Sequence, residues 1–490
     1  MTYNRRSFFK IAGVAGAGLF SGALSSCISK ENEQEVTSLS AIEQDAKRSY
    51  NQLFNMSGYA APKIEVVKIG IIGLGMRGPG AVERMAMLDG VEIKALCDLK
   101  TDRVNNARKI LSEHGLPEAK AYVGNKDTWK ELCLDPEIDL VYICTPWSLH
   151  TPMAVFAMQN GKHAAVEVPA CRTLDEAWQL VETSEKTKKH CMMLENCCYD
   201  FFELLTLNMA RQGFFGELVH AEGAYIHDLR ELNFSKDGYY PDMWRLRENQ
   251  HRNGNLYPTH GLGPVCQALN INRGDRMDYL TSMSSNDFQM ADMAAGLANK
   301  DSFYKEYATT GYRGNMNTTS VRTEKGKTIM IQHDTTSPRP YSRIHLLSGT
   351  KGIASKWPEP EKISNGHEWF DDKQVEEVRS QYTPEIVKKI GEMAKKIGGH
   401  GGMDFMMDWR LIDCLRNGLP LDQDVYDAAL WSSIAPLSEW SAANRSRAIN
   451  VPDFTCGTYK VNKPVDLSLS AGANTTVREY VKQTDRQLVI

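Results

Sequence analysis

From about residue 63 to 196 the chain alternates short apolar, β-branched runs with stretches whose apolar positions recur every three or four residues. "EVVKIGIIG", "VEIKALCDL", "DLVYICTP" and "KHAAVEVP" predict strands, and "GAVERMAMLDG", "TDRVNNARKILSEHG" and "HTPMAVFAMQNG" predict helices between them. Strand–helix alternation of this kind gives a doubly wound parallel sheet with helices on both faces. After Cys197 the pattern changes. "ELVHAEGAYIHDL", "TSVRTEKGKTIMIQHDTT" and "YSRIHLLSG" alternate over longer spans and predict a mostly antiparallel sheet. Helical periodicity returns in "TPEIVKKIGEMAKKIG", "MDFMMDWRLIDCLRNG" and "VYDAALWSSIAPLSEWSAAN". The reading is an α/β chain with a parallel-sheet domain at 63–196 and an α+β domain at 197–490, without internal repeats.

The first 62 residues follow neither pattern. Arg5-Arg6 in "RRSFFK" precedes an apolar run from Ile11 to Leu24, shorter than the roughly 20 residues of a membrane-spanning helix. The stretch resembles a twin-arginine export signal, and "LSSC" resembles a lipobox ending at Cys27. The alternative is an ordinary secretory signal with an incidental cysteine. Residues 1–27 are therefore expected to direct export to the periplasm or cell envelope. Residues 28–62, polar and acidic, are expected to form a tether and lead-in helix. Contact with a membrane is expected only through a lipid on Cys27.

Charge is nearly balanced, 57 basic against 61 acidic residues, which argues against a nucleic-acid partner. The ten cysteines beyond Cys27 show no CxxC pair and no Cys/His ligand spacing, so no metal is expected. Most read as buried thiols, with Cys197-Cys198 left open. A small molecule or glycan is the expected partner, and homo-oligomerisation stays open.

The first strand runs into Gly73-x-Gly75-x-x-Gly78, which opens a helix, and Asp98 ends the next strand. Glycines at that spacing allow a tight turn and close approach of backbone to a pyrophosphate at a helix N-terminus. The acidic residue accepts hydrogen bonds from a ribose. The cofactor expected is NAD, since Asp98 would repel a 2′-phosphate, although Arg77 within the loop could meet one. Trp147 and His150, in "ICTPWSLH", fall at the ligand-binding edge of such a sheet and could line the nicotinamide side. His150 reads almost as well as a helix-start residue bonded to a carbonyl.

The glycine loop, Asp98, "CTPWSLH" and "EVPAC", in this order, resemble the glucose–fructose oxidoreductase and inositol dehydrogenase superfamily. That resemblance implies an N-terminal Rossmann domain and a C-terminal domain on an open, largely antiparallel sheet. Two departures stand out. The superfamily's Glu-Lys-Pro, source of its catalytic lysine, is here Glu167-Val168-Pro169, and valine moves no proton. Its aspartate and histidine four residues apart appear here as Thr259 and Gly263, in "GNLYPTHGLGP". With "AYIHDLR", "WRLRENQHRNGNLYPTHGLGP" and "GGHGGMDF", the chain resembles glycoside hydrolase family 109, the NAD-dependent α-N-acetylgalactosaminidases.

The resemblance implies cofactor contacts from Gly73, Gly75, Met76, Arg77, Gly78, Asp98, Trp147, His150, Glu167, Val168 and Asn196. It implies catalytic roles for Glu195, Tyr225, His227, Tyr257 and His260, and sugar binding by Tyr225, Arg245, Tyr257, Pro258, Thr259, His260 and Tyr341. Tyr and His suit a site that must both give and take protons. Tyr225 and His227 lie two apart on a predicted strand and so share one face. Tyr257 and His260 are expected in a loop, and Trp244 could stack on a sugar face. The implied reaction oxidises C3, eliminates the C1 substituent, adds water and reduces C3 again, with no net use of NAD. An exported sugar or polyol dehydrogenase and a lipid-anchored, non-catalytic sugar-binding module are the alternatives.

Overall fold

The structure, a computed structural model, describes residues 38–478. The twin-arginine stretch, Cys27 and residues 28–37 of the tether lie outside the described residues. The first sheet has six parallel strands: β1 (Val67–Ile72), β2 (Val91–Cys97), β3 (Lys120–Tyr122), β4 (Leu140–Ile143), β5 (His163–Val166) and β6 (Cys191–Met193). Their order is β3-β2-β1-β4-β5-β6. β4, β5 and β6 are buried at every position, as strands covered on both faces must be. The order reverses between β1 and β4, so the loop leaving β1 opens into the crevice at that switch point.

The second sheet holds β7 (Leu218–Ile226), β8 (Met277–Ser284), β9 (Asn317–Thr323), β10 (Thr328–Asp334), β11 (Leu346–Gly349), β12 (Ile353–Ser355), β13 (Lys362–Ser364) and β14 (Ile449–Asn450). Its order is β13-β12-β11-β7-β10-β9-β8-β14. All neighbours are antiparallel except the central pair β7 and β10, which run parallel. "TSVRTEKGKTIMIQHDTT" is the hairpin β9–β10, turned at Gly326 with φ +84°. "YSRIHLLSG" yields only β11, because Ile344 and His345 sit at φ +59° and +49° and interrupt the extended run.

The helix Val425–Ala443 ties the two sheets together. It packs on the helix Leu174–Thr187 of the first and on β8 of the second. Its sequence carries small or apolar residues on every side, and Val425 to Ser441 are buried accordingly. The start of the described chain binds to it and to the helix beside it. Tyr50 donates to Glu185, and Tyr426 holds Gln52 and the Met56 N–H. At the other end Thr475 accepts from the Trp409 indole. Thr476 and Arg478 bond the backbone at Asp89 and Met87, beside the first sheet. Among the described residues no helix is long and apolar enough to cross a membrane.

Candidate active site

The glycine loop takes the form its spacing predicts. Gly73 turns at φ +90°, with the Cys144 carbonyl so close that an added Cβ would stand 2.7 Å from it. Gly78 then opens the helix Gly78–Ala86. Asp98 accepts from the Leu74 N–H at 2.8 Å and the Lys100 N–H at 3.0 Å, which fixes its carboxylate beside the loop. Arg103 pairs with it at 3.5 Å. A groove of about 530 Å³ lies against this edge, lined on one wall by Gly75, Met76, Pro79, Asp102, Arg103 and Asn106.

Arg77 does not wait for a phosphate. Its guanidinium bonds Glu167 at 2.9 Å and Asp404 at 3.1 Å, and Asp404 also holds His400 at 2.9 Å and Asn196 at 2.5 Å. Burial opposes the charge on Asp404, but Arg77, Arg84 and His400 outweigh it and keep the carboxyl well below the usual range. Glu167, Asn196 and Arg77 thus form a lock between the glycine loop and the helix Met403–Asn417. Of these, the sequence analysis picks out all but Asp404, whose glycine-rich approach "GGHGGMDF" was the available signal.

His150 is 1% exposed, and its ring nitrogens lie 2.7 Å from the Pro169 and Thr145 carbonyls, the arrangement expected of a helix-start residue bonded to a carbonyl. Val168 is buried where the superfamily has its lysine.

The predicted proton-handling residues converge. Tyr225, at the end of β7, shares a 3.2 Å hydrogen bond between its hydroxyl and His227 Nδ1. Its ring lies 4.8 Å from Tyr257, 5.4 Å from His260 and 6.2 Å from Tyr341. His260 is not in a loop, as expected, but in the first turn of the helix Thr259–Leu269. The misreading came from Gly261 and Gly263, which look like loop residues. In fact Gly261 faces Gly223 of β7 so closely that a Cβ on either would strike the other's backbone or its neighbour's at about 2.2–2.3 Å. Two bare backbones let the helix press onto the strand, and that brings His260 beside Tyr225. Pro258 and Thr259 are buried at this same helix start.

Glu195, fully buried, accepts from His260 Nδ1 at 2.6 Å and from the Cys197 N–H at 3.1 Å. A carboxylate only accepts, so Nδ1 donates to it, and in a neutral ring Nε2 is then the accepting nitrogen. Burial would raise Glu195, but His260 and the Cys197 amide prevail and hold it below the ordinary range. Burial pushes Tyr225, Tyr257 and Tyr341 up and His227 down, so all four are neutral near pH 7.

Arg245 is 6% exposed and has aromatic neighbours on several sides: Trp147, Tyr225, Tyr240 and Tyr257, at 4.8–5.8 Å. It donates to the Tyr240 hydroxyl at 2.6 Å, while its Nη2 has no protein partner. Trp147 stacks on Tyr257 at 5.5 Å and meets Trp244 edge-on, joining the two sheets' contributions in one aromatic wall. The sequence analysis missed Arg343, which donates to the Tyr341 hydroxyl at 3.3 Å and is anchored by Asp200 and Glu203. Glu195, Cys197 and His260 bring ligand-type atoms within 4.8 Å of one another. Burial raises the Cys197 thiol above its ordinary range.

This geometry has relatives. Residues 67–195 match the oxidoreductase family model for an NAD-binding Rossmann fold, and 199–461 match the C-terminal domain model of glycosyl hydrolase 109. The chain belongs to glycosyl hydrolase family 109. A family 109 protein of Bacteroides fragilis (strain YCH46) is 49% identical over 424 residues, spanning 82% of this chain and 88% of that protein. A Bacteroides fragilis protein named alpha-N-acetylgalactosaminidase is 50% identical over 408 residues, spanning 82% and 95%. The fold of this family 109 chain is shared with levoglucosan dehydrogenase solved with NADH and L-sorbose, at a TM-score of 0.58 and 16% identity. That match covers 79% of this chain and all of the other. NAD fits the first domain: the loop at Gly73 leaves no space for a side chain, Gly75 lines the groove, and Asp98 is fixed at its edge. The chain is a glycosidase of this family built on an NAD-binding oxidoreductase fold.

Proposed function

We propose that the protein removes terminal α-N-acetylgalactosamine by an oxidation–elimination–addition–reduction cycle that returns its NAD unchanged. The observation that supports it is the neutral Tyr/His cluster beside a nucleotide fold, with Val168 in place of a lysine. A glycosidase of the usual kind flanks the bond with two working carboxylates. Here the carboxylate touching the cluster, Glu195, is committed to His260, and Asp228 beyond His227 is bound to Arg230. The name of the 50% identical relative supports the sugar.

NAD, when bound, supplies a reversible oxidant for C3 of the sugar. The protein's own groups do the rest. A C3 ketone acidifies the neighbouring C2–H, and His260, aimed by Glu195, offers Nε2 as a base. The Tyr225–His227 pair offers a proton to the leaving oxygen. Positioned acid–base groups of this type contribute about 10²–10⁴ in rate. Arg245, with its unpartnered Nη2, and Tyr257 are placed to hold sugar oxygens beside the Trp147–Tyr257 wall.

The test is hydrolysis of an aryl α-N-acetylgalactosaminide in D₂O without added NAD. The expected product carries deuterium at C2, and NADH does not accumulate. Cleavage without C2 deuterium would show a carboxylate-type hydrolase. NADH accumulating with the glycosidic bond intact would show a dehydrogenase.

A further inference from the structure

The groove beside the glycine loop has a second wall, and it comes from the other domain: Gly238, Tyr239 and Pro241. The segment carrying them is held at both ends and free in the middle. At its start Phe234 is 3% exposed in a small apolar cluster with Met243, Leu246, Met290 and Tyr304, and its carbonyl accepts from Tyr304 at 2.6 Å. At its end Tyr240 is 3% exposed and bound to Arg245. Between these anchors residues 236–239 are exposed, with Lys236 paired to Asp301 at 2.8 Å. Asp242 and Met243 follow at φ +55° and +49°, turning the chain sharply back into the helix Trp244–His251.

Tyr239 stands out in this segment. Tyr239 is the aromatic residue of this second wall and is 39% exposed, so its ring is free to meet a ligand in the groove. It sits across the groove from Arg103 and Asn106, on the side marked by Asp98 as the nucleoside side. Pockets of this size, within the roughly 300–1,000 Å³ typical of ligand sites, bury most of their ligand only when walled on both sides. We propose that residues Ser235–Tyr240 form a strap over the nucleoside half of the bound cofactor, with the Tyr239 ring as its cover, and that this strap sets how slowly NAD leaves. Its inner anchor, Tyr240, bonds the arginine of the sugar site, so the strap runs directly from one site to the other. The proposal needs only that NAD binds at the glycine loop and stands whatever route hydrolysis takes.

The experiment loads the full-length protein with NADH, chases with excess NAD⁺ and follows nicotinamide fluorescence. An aromatic contact to a base contributes about ten- to hundredfold in binding. Tyr239→Ala is therefore expected to release NADH about 10–100 times faster than wild type, whereas Tyr239→Phe, keeping the ring, stays within about threefold. An alanine variant releasing at the wild-type rate would overturn the proposal. So would a phenylalanine variant as fast as alanine, which would assign the effect to the hydroxyl and not to a covering ring.

Discussion

Replacing Glu195 by glutamine tests the centre of the site with one atom. Glu195 Oε1 already receives the Cys197 amide, so glutamine keeps its oxygen there and His260 Nδ1 still has an acceptor. Orientation survives and only the charge is lost. In the wild type that charge steadies the imidazolium formed whenever His260 takes a proton. With charge centres about 4 Å apart and an effective dielectric near 20, the stabilisation is about 4 kcal/mol. Burial justifies that dielectric, since the Glu195 side chain is wholly covered and that of His260 is 13% exposed. If the transition state feels about half, the loss is about 2 kcal/mol, or roughly 30-fold in turnover. Glu195→Ala removes the orientation as well and should cost about 10²–10⁴.

Single-turnover release from an aryl glycoside and deuterium entry at C2 should fall together in both variants. With His260→Ala as background, Glu195→Gln should cost little more, because the two act as a unit. The pH dependence has a definite sign. Glu195 is held below its ordinary value, so its charge persists as pH falls through the ordinary carboxylate range and is lost only beneath it. Wild-type rates in the glutamine variant, or a full extra loss on the His260→Ala background, would refute the dyad.

Two further outcomes are expected. Asp98→Ala should weaken NAD binding and relax discrimination against NADP, measured by calorimetry with both nucleotides; unchanged affinity would mean the carboxylate does not meet the ribose. Asp404→Asn should cost about 3 kcal/mol at pH 7, the low end for breaking a buried pair, because Arg77 keeps Glu167 and Arg84 keeps Asp408. Since Asp404 is depressed in the folded state, its stabilisation is present above an unfolded pKa near 3.9 and lost as pH falls through the folded value. Urea unfolding should therefore show the two proteins converging at strongly acid pH, and a gap unchanged from pH 7 to the acid limit would contradict the assignment.

What could be read beforehand was whatever depends on local spacing. β1, the glycine loop and Asp98 are contiguous in sequence and follow one period, and the structure has them as expected. Tyr225 and His227 share a face because strands alternate. What could not be read depends on partners far along the chain. Arg77 looked able to meet a phosphate because it lies in the glycine loop; its partners are the distant carboxylates Glu167 and Asp404. The helix at Thr259 was hidden because Gly261 serves close packing against Gly223, and packing leaves no local signature. The parallel pairing of β7 with β10 is likewise invisible in two strands that each alternate like antiparallel ones. Tyr239 belongs to the same class, a residue given meaning only by the domain it reaches across to.

The last described residues give the molecule an unusual order of assembly. Thr476 and Arg478 close hydrogen bonds to Asp89 and Met87, just before β2, on a segment made nearly 400 residues earlier. Domains usually fold as units while synthesis is still under way, the N-terminal one first. Here the nucleotide-binding half can form its strands early, but the turn at Met87–Asp89 gains these bonds only after Thr476 and Arg478 have been made. A late segment thus finishes an early one, and loss of Thr476 and Arg478 would appear as a defect beside Met87 and Asp89 in the first domain.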